Sequence, residues 1–98
     1  MRFFVRTSSY QNSQMLNMCD EELLERVVKK DDVEIKISKS YYGQRLVGTS
    51  EARDLMTSAS IINLVGEQSI KISIDLNLGS RAGVKTIQGV PFLIIFKM

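Results

Sequence analysis

The amino-acid sequence predicts an α+β fold, in which a single domain holds a mostly antiparallel sheet of about five strands with two to three helices packed on one side. The strict alternation of apolar and polar residues over Val33–Ser38 is typical of a half-buried strand. The almost wholly apolar run Phe92–Lys97 is typical of a central strand. Apolar residues at helical spacing occur between these segments, and 98 residues correspond to one domain.

Five segments are predicted to be strands because they are rich in apolar or β-branched residues and are bounded by turn-forming residues. They are Phe3–Thr7, Met15–Met18, Val33–Ser38, Val84–Gln88 and Phe92–Lys97. The polar stretch between the first two predicts an antiparallel hairpin. Pro91 cannot donate to a strand ladder, so we expect it at the first position of the last strand or at a bulge.

Two helices are predicted from their N-terminal caps and apolar stripes. Asp20 is expected to cap a short helix that ends at Asp31-Asp32. Its apolar stripe consists of Leu23, Leu24, Val27 and Val28. Thr49 or Ser50 is expected to cap the other helix, whose apolar face consists of Ala52, Leu55, Met56 and Ala59. We expect the intervening stretch, residues 39–48, to be a loop.

Residues 61–79 contain two competing patterns. Ile70, Ile72, Ile74, Leu76 and Leu78 alternate with polar residues, which predicts a strand. A helical face also exists, and it consists of Ile61 or Ile62, Val65, Ser69, Ile72 and Leu76. Gly79 would then supply the left-handed residue that follows a helix. The local pattern alone favours the strand.

The composition limits the possible functions. Apolar residues make up 44% of the chain, charged residues 24%, and the net charge is +2, which is weaker than the basic excess of most nucleic-acid-binding domains. Cys19 is the only cysteine, so an internal disulfide is excluded and a reduced cytoplasm is the expected compartment. No apolar run approaches the ~20 residues of a membrane helix, so we expect a soluble protein.

No catalytic residue, metal site or cofactor is predicted. The chain has no histidine, which removes the commonest general base and metal ligand. Cys19 precedes the predicted first helix, but three neighbouring acidic residues oppose a thiolate, and a small buried side chain is the expected role. The acidic cluster of Asp20, Glu21, Glu22 and Glu25 would splay apart on a helix and lacks the glycine-bearing loop of a calcium site.

Three short segments are candidate binding elements. Tyr41, Tyr42 and Gly43 with nearby Arg45 have the composition of an interface anchor or a base-stacking platform, although both rings could instead pack structurally. Asn63–Glu67 contains Gly66, which permits close approach of a ligand or simply tight helix–sheet packing. Gly89–Pro91 is most simply a turn, with a functional role as the alternative.

These motifs occur in a fixed order, and together they resemble one family. After a short apolar start come Cys19–Leu24, Ser40–Gly43, Asn63–Glu67 and Gly89–Pro91. Over essentially its whole length the chain resembles the archaeal family catalogued as domain of unknown function 424. In that family a histidine often follows Gly-Val-Pro, whereas this chain has Phe92. The departure favours a binding module over an enzyme.

The resemblance implies a cytoplasmic archaeal protein of translation, related to the translation recovery factor of crenarchaea. The implied partner is archaeal translation initiation factor two, bound through its γ subunit and released from messenger RNA. Because family members are rich in alanine and glutamate after Val-Gly-Glu, the resemblance also favours a helix from about Gly66 to Asn77.

The resemblance and the motifs together give one set of predicted partner-binding residues. They are Tyr41, Tyr42, Gly43, Arg45, Asn63, Gly66, Glu67, Gly89 and Pro91. Direct binding of RNA is the alternative, with stacking on Tyr41 or Tyr42. Its phosphate contacts would come from Arg45, Lys71, Arg81 and Lys85. A small enzyme is the weakest hypothesis.

Overall fold

A computed structural model describes residues 1–97 and contains eight strands, three helices and two 3-10 turns within that range. The strands are β1 (Arg2–Tyr10), β2 (Ser13–Asp20), β3 (Val27–Lys30), β4 (Val33–Lys36), β5 (Arg45–Gly48), β6 (Ile61–Val65), β7 (Lys85–Ile87) and β8 (Val90–Phe96). The helices are α1 (Lys39–Tyr42), α2 (Thr49–Ser58) and α3 (Glu67–Asp75), and the 3-10 turns span Glu21–Leu23 and Arg81–Gly83.

Six strands form one sheet in the order β5-β1-β2-β6-β8-β7, and β3 and β4 form a separate hairpin. All strand pairs are antiparallel except β2 and β6, which run parallel. The predicted α+β class with a mostly antiparallel sheet is therefore confirmed, with more strands than expected. The strand predicted at Val33–Ser38 exists as β4, but it belongs to the small hairpin.

The two faces of the six-stranded sheet are covered differently. Because side chains alternate along a strand, neighbours such as Leu93 and Ile94 point to opposite faces. One face carries the larger core, to which α2 contributes Met56 and α3 contributes Ile70. On the other face, α1 and the β3–β4 hairpin bury a smaller cluster around Cys19. The two longer helices thus pack on one side, as predicted.

The β1–β2 hairpin is confirmed and is longer than predicted, pairing Phe3 with Asp20 at one end and Tyr10 with Ser13 at the other. Its two-residue turn places Gln11 and Asn12 at φ values of 49° and 69°. Positive φ at both central positions is the geometry that matches the natural twist of two antiparallel strands.

The prediction of a helix after Asp20 is wrong. The segment contains only the 3-10 turn Glu21–Leu23 and then β3, which pairs with β4. The β-branched pair Val27-Val28 suits an extended chain, and Asp31 has the positive φ of a tight hairpin turn. Asp20 does cap a helix, but that helix is α3, far along the chain.

Two further segments differ from the prediction. The expected loop at residues 39–48 contains the helical turn α1 and the edge strand β5. Residues 61–65 were not predicted to be a strand, yet they form β6 in the middle of the sheet. In the sequence, Ile61 or Ile62 and Val65 have helical spacing to Ser69 and Ile72. The strand forms because residues 61–65 pair with β2 on one side and β8 on the other.

The helix expected at about Gly66 to Asn77 is confirmed as α3. Ser69, Ile70, Ile72 and Ser73 are its buried residues, a helical spacing that no strand can produce. The alternation of isoleucines is therefore misleading, because Ser73 is as buried as its neighbour Ile72. Asn77 has φ 59° and supplies the left-handed residue predicted for Gly79. No helix among residues 1–97 is long and apolar enough to cross a membrane.

Candidate functional site

Within residues 1–97, no helix or strand covers part of the second sheet face. We call it the open face, and it consists of the side chains of Arg6, Met15, Ile61, Asn63, Ile94 and Phe96. Ile94 is 58% exposed and Phe96 is 67% exposed, although both lie on β8, whose other side chains are mostly buried. Exposed apolar side chains that form a contiguous patch are typical of a binding site, whereas single exposed apolar residues are common on any protein surface.

Helix α1 forms one wall of the open face. Asn17 is 2% exposed, and its Nδ2 donates to the backbone carbonyl of Tyr41 over 3.2 Å. Its Oδ1 accepts a hydrogen bond from Nδ2 of Asn63 over 2.7 Å. This pair of amides satisfies polar groups at the centre of the sheet and fixes α1 against β2.

The wall and the sheet enclose a shallow groove with a volume of about 200 Å³. Tyr41 lines one side and Phe92 and Ile94 line the other, with Asn63 between them. The ring of Tyr41 is 46% exposed and packs edge-on against the ring of Tyr42, with 5.0 Å between their centroids. A rigid, half-exposed tyrosine beside an apolar groove is a common anchor in protein interfaces.

The charge around the groove is one-sided. Within the open face, Arg6 carries a positive charge and there is no carboxylate. Lys85 lies at the border, opposite Phe92 in the β7–β8 pair. A ligand that covers this surface therefore meets a weakly positive field.

Tyr42 and Gly43 have structural roles. Tyr42 is buried in the smaller cluster, and this burial raises the pKa of its phenol to about 12. Gly43 ends α1, and its N–H donates to the carbonyl of Lys39 over 2.7 Å. A Cβ at this position would lie 2.9 Å from that carbonyl oxygen, so the turn requires glycine. The alternative of structural packing therefore describes Tyr42, whereas the side chain of Tyr41 is half exposed.

The Asn63–Glu67 segment is divided between two environments. Asn63 faces the groove, whereas Gly66 lies at the start of α3 with φ 107°. A Cβ on Gly66 would lie 2.3 Å from Cγ of Asp20, so the space that the glycine leaves is filled by a carboxylate of the same chain. The close approach expected at Gly66 is real, but it serves packing between the helix and the sheet.

Asp20 occupies the N-terminus of α3. Its two carboxylate oxygens accept hydrogen bonds from the N–H groups of Gln68 and Ser69 and from the hydroxyl of Ser69, over 3.0, 2.8 and 2.7 Å. Burial raises the pKa of this carboxyl, while the bonds from Ser69 and Gln68 act in the opposite direction. The helix N-terminus is thus already neutralised from within the chain.

The remaining candidates lie away from the groove. Glu67 pairs with Arg81 through two hydrogen bonds of 2.9 and 2.6 Å, which lower the pKa of its carboxyl. Arg45 pairs with Glu51 of α2, on the side of the sheet that the longer helices cover. Gly89 and Pro91 belong to the β7–β8 turn and to the second position of β8, one residue later than expected for Pro91.

Cys19 and the acidic cluster do not form a reactive site. Cys19 is fully buried, and burial together with the neighbouring charges of Asp20 and Glu22 raises its pKa to about 12. Glu21 pairs with Arg2 and Glu25 pairs with Lys36, so these carboxylates point to different partners. Among residues 1–97, no group of three or more potential metal ligands comes together.

Comparison with known proteins identifies the family. The family model described as protein of unknown function (DUF424) matches residues 7–98. The chain belongs to this family. No curated protein matches the sequence.

A solved structure supports the fold of this DUF424 protein. The crystal structure of an uncharacterized conserved protein from Methanopyrus kandleri is similar, with a TM-score of 0.79 at 20% sequence identity. The similarity covers 100% of this chain and 95% of the other. At this level of identity the comparison concerns the fold alone.

The sequence prediction missed the main components of the open face. Ile94 and Phe96 lie in a run that was predicted, correctly, to be a strand, but continuous hydrophobicity was interpreted as burial on both faces. Arg6 was absent from the candidates because nothing in the sequence places it beside Asn17. The available clue was the pair of phenylalanines at positions 92 and 96, which share one face of a strand.

Proposed function

We propose that this DUF424 protein is a non-enzymatic, cytoplasmic binding protein of translation. Its proposed partner is archaeal translation initiation factor two, contacted through the γ subunit. The observation that supports a binding role is the open face, on which Tyr41 and Ile94 line one groove and Phe96 is exposed further along β8. The identity of the partner rests on the family resemblance.

The proposed activity is release of the factor from messenger RNA. Release requires that the protein bind the RNA-free state of the factor more tightly than the RNA-bound state, or that it compete with RNA for the same surface. The open face suits the first route, since its positive border would be repelled by the basic surface that holds RNA but fits an apolar site with acidic groups elsewhere on the factor.

A pull-down with the purified γ subunit at moderate salt tests the partner. We expect a complex with the wild-type chain and a loss of affinity of about 10-fold or more for Tyr41→Asp, which places a carboxylate at the wall of the groove. Asn17 holds Tyr41 only through its backbone carbonyl, so the substitution leaves that anchor intact.

Val33→Asp is the matched control, because Val33 is 59% exposed beside the turn of the β3–β4 hairpin and does not line the groove. It should bind as the wild type does. If the wild-type chain recovers no γ subunit, or if both variants lose binding equally, initiation factor two is not the partner of this face.

RNA binding is the second candidate, and the lack of a carboxylate on the open face favours it. The four basic residues expected to contact phosphate do not share one surface, because Arg45 lies on the sheet face of the longer helices and Lys85 on the other. Arg45 and Arg81 are also paired with Glu51 and Glu67. Arg6 on the open face and Lys85 at its border remain, so few phosphates could be neutralised. Fluorescence anisotropy with single-stranded RNA tests this candidate, and we expect only weak affinity with a shallow dependence on salt concentration. If the affinity instead falls with added salt as steeply as several phosphate contacts require, RNA is favoured as the ligand.

A further inference from the structure

Strand β8 has an outer edge that is only half paired. Its inner edge pairs with β6 over its length from Phe92 to Phe96. On the outer side, β7 pairs only with Val90–Phe92, because β7 is three residues long. The outer edge from Leu93 to Phe96 therefore has no neighbouring strand within residues 1–97.

The orientation of the backbone shows which groups are free. The carbonyl of Pro91 accepts from the N–H of Gly66, and the N–H of Lys97 donates to the carbonyl of Ser60, so both residues face β6. The N–H and C=O groups of one strand residue point to the same edge, and those of the next residue point to the other edge. Since Pro91 and Lys97 face β6, Ile94 and Phe96 must direct their N–H and C=O groups outward. Neither residue has a hydrogen bond on that side among the residues that the structure describes.

This edge also lacks the charged side chains and the proline that commonly prevent strand addition. Exposed edges are commonly protected by charged side chains, proline or a covering loop, whereas Leu93–Phe96 is wholly apolar. The other outer edge of the sheet is different. There the N–H of Thr7, just beyond the end of the β1–β5 pairing, is bonded to Oε1 of Gln44 over 3.2 Å.

A projecting side chain and a cavity lie next to each other on this edge. Phe96 is 67% exposed. A cavity of about 220 Å³ opens beside Phe92 and Ile94, and Gly83 and Lys85 line its far side. Phe96 and Ile94, which borders the cavity, are two positions apart on the same strand. An antiparallel copy of this edge could therefore place its Phe96 opposite Ile94 and beside the cavity.

We propose that the outer edge of β8 is the site of a symmetric association with a second copy of this chain. Ile94 of each copy pairs with Phe96 of the other, so that the two sheets become continuous. Two residues per copy give about four new hydrogen bonds, which satisfy the free groups of both edges. Phe96 of the second copy lies beside Ile94 and fills the cavity bordered by Lys85.

The pairing of Ile94 with Phe96 is the register that uses most of the described free edge. If Ile94 paired with Ile94 of the second copy, Phe96 would lie opposite Phe92, which is already bonded to β7. If Phe96 paired with Phe96, Ile94 would have no partner among the described residues. Among residues 1–97, the intermediate register uses both free residues of each copy and none of the residues paired with β7.

A second copy fits this edge better than an extended segment of another protein. The free edge is only four residues long, so few hydrogen bonds would compensate for ordering a flexible segment. A second copy brings a strand that is already formed. The Lys85 side chains of the two copies lie on opposite sides of the twofold axis, each beside its own Phe92, and are therefore too far apart to repel each other strongly. The contact is small, and we expect dissociation constants in the range of about 10 µM to 1 mM.

Sedimentation velocity of the full chain, from about 1 µM to about 1 mM, tests the proposal. We expect a reversible monomer–dimer equilibrium that Phe96→Lys weakens by about 10-fold or more, since a charge is placed in an apolar cavity. Tyr10→Lys is the matched control, because Tyr10 is a 70% exposed aromatic residue on β1, away from this edge. It should associate as the wild type does.

Amide hydrogen exchange identifies the edge itself. The N–H groups of Ile94 and Phe96 should become protected as the concentration rises, while that of Ser9 stays unprotected. A chain that remains monomeric at about 1 mM overturns the proposal. The proposal is also overturned if the Phe96→Lys variant unfolds at the same temperature as the wild type and dimerises with the same dissociation constant. Both outcomes are independent of whether initiation factor two binds.

Discussion

At the scale of single residues, the side chain of Asp20 joins two segments that are far apart in the sequence. It ends β2, yet its carboxylate caps α3, which lies nearly fifty positions further along the chain. The two N–H groups and the hydroxyl that it accepts are all at one helix N-terminus. An acidic cap of this kind combines hydrogen bonding with a favourable interaction with the helix dipole.

Replacing Asp20 should therefore destabilise the fold. We expect Asp20→Ala to lower the free energy of unfolding by about 2 to 3 kcal/mol, because it removes the cap and leaves the buried hydroxyl of Ser69 unpaired. Urea unfolding followed by circular dichroism measures this loss. Glu22→Ala removes the same charge from an exposed position and should stay within about 0.5 kcal/mol of the wild type. Equal losses in the two variants would refute the capping role.

At the scale of elements, the junction between β6 and α3 joins a central strand directly to a helix. Gly66 makes the turn with φ 107°, and the side chain of Asp20 lies where its Cβ would be. The junction is also bonded to β8, because the N–H of Gly66 donates to the carbonyl of Pro91 over 2.9 Å. Three elements therefore meet at one glycine.

Gly66→Ala should be one of the most damaging small substitutions in the chain. The residue would be strained at this φ by about 1 to 3 kcal/mol, and the clash with Asp20 would add to that cost. We expect a total loss of at least about 3 kcal/mol in chemical denaturation. Gly48→Ala provides the comparison, since a Cβ there meets nothing within 4 Å and φ is −87°. Its effect should remain below about 1 kcal/mol.

The same elements show how far the sequence could predict the fold. Hairpin β1–β2, helix α2 and the final strand follow from local patterns of alternation and apolar stripes. The cap predicted for α2 at Thr49 or Ser50 is wrong, because Gly48 occupies the N-cap position and no side chain caps the helix. Helix α3 was predicted only through the family resemblance, since its isoleucines alternate as in a strand. The segment after Asp20 was predicted wrongly because an acidic residue signals a cap but not which helix it caps.

The candidate site was harder to predict for a related reason. Tyr41 and Asn63 were identified from the sequence, and the structure brings them to one groove. Gly66, Gly43 and Tyr42 were identified for their chemistry but have structural roles. Ile94 and Phe96 were missed, because a run of apolar residues does not reveal that only one of its two faces is covered. That information depends on where α1 and the β3–β4 hairpin stop.

At the scale of the whole molecule, the sheet is asymmetric. Helices α2 and α3 cover one face, whereas α1 and the β3–β4 hairpin cover only part of the other. Consecutive residues of β8 therefore experience different environments. Leu93 is 5% exposed beneath the helices, and Ile94 is 58% exposed on the open face. This asymmetry leaves the open face and the edge of β8 available for the interactions proposed above.

Alanine substitutions at these two neighbours measure the asymmetry directly. Leu93→Ala should cost about 2 to 4 kcal/mol, because it leaves a cavity in the larger core. Ile94→Ala should cost less than about 1 kcal/mol, since its side chain is mostly in water already. Both are measured by urea unfolding at about 1 µM protein, a concentration at which the chain is monomeric even if the β8 edges associate. A large loss for Ile94→Ala under these conditions would mean that the open face is covered within a single chain, and the binding role proposed for it would then be wrong.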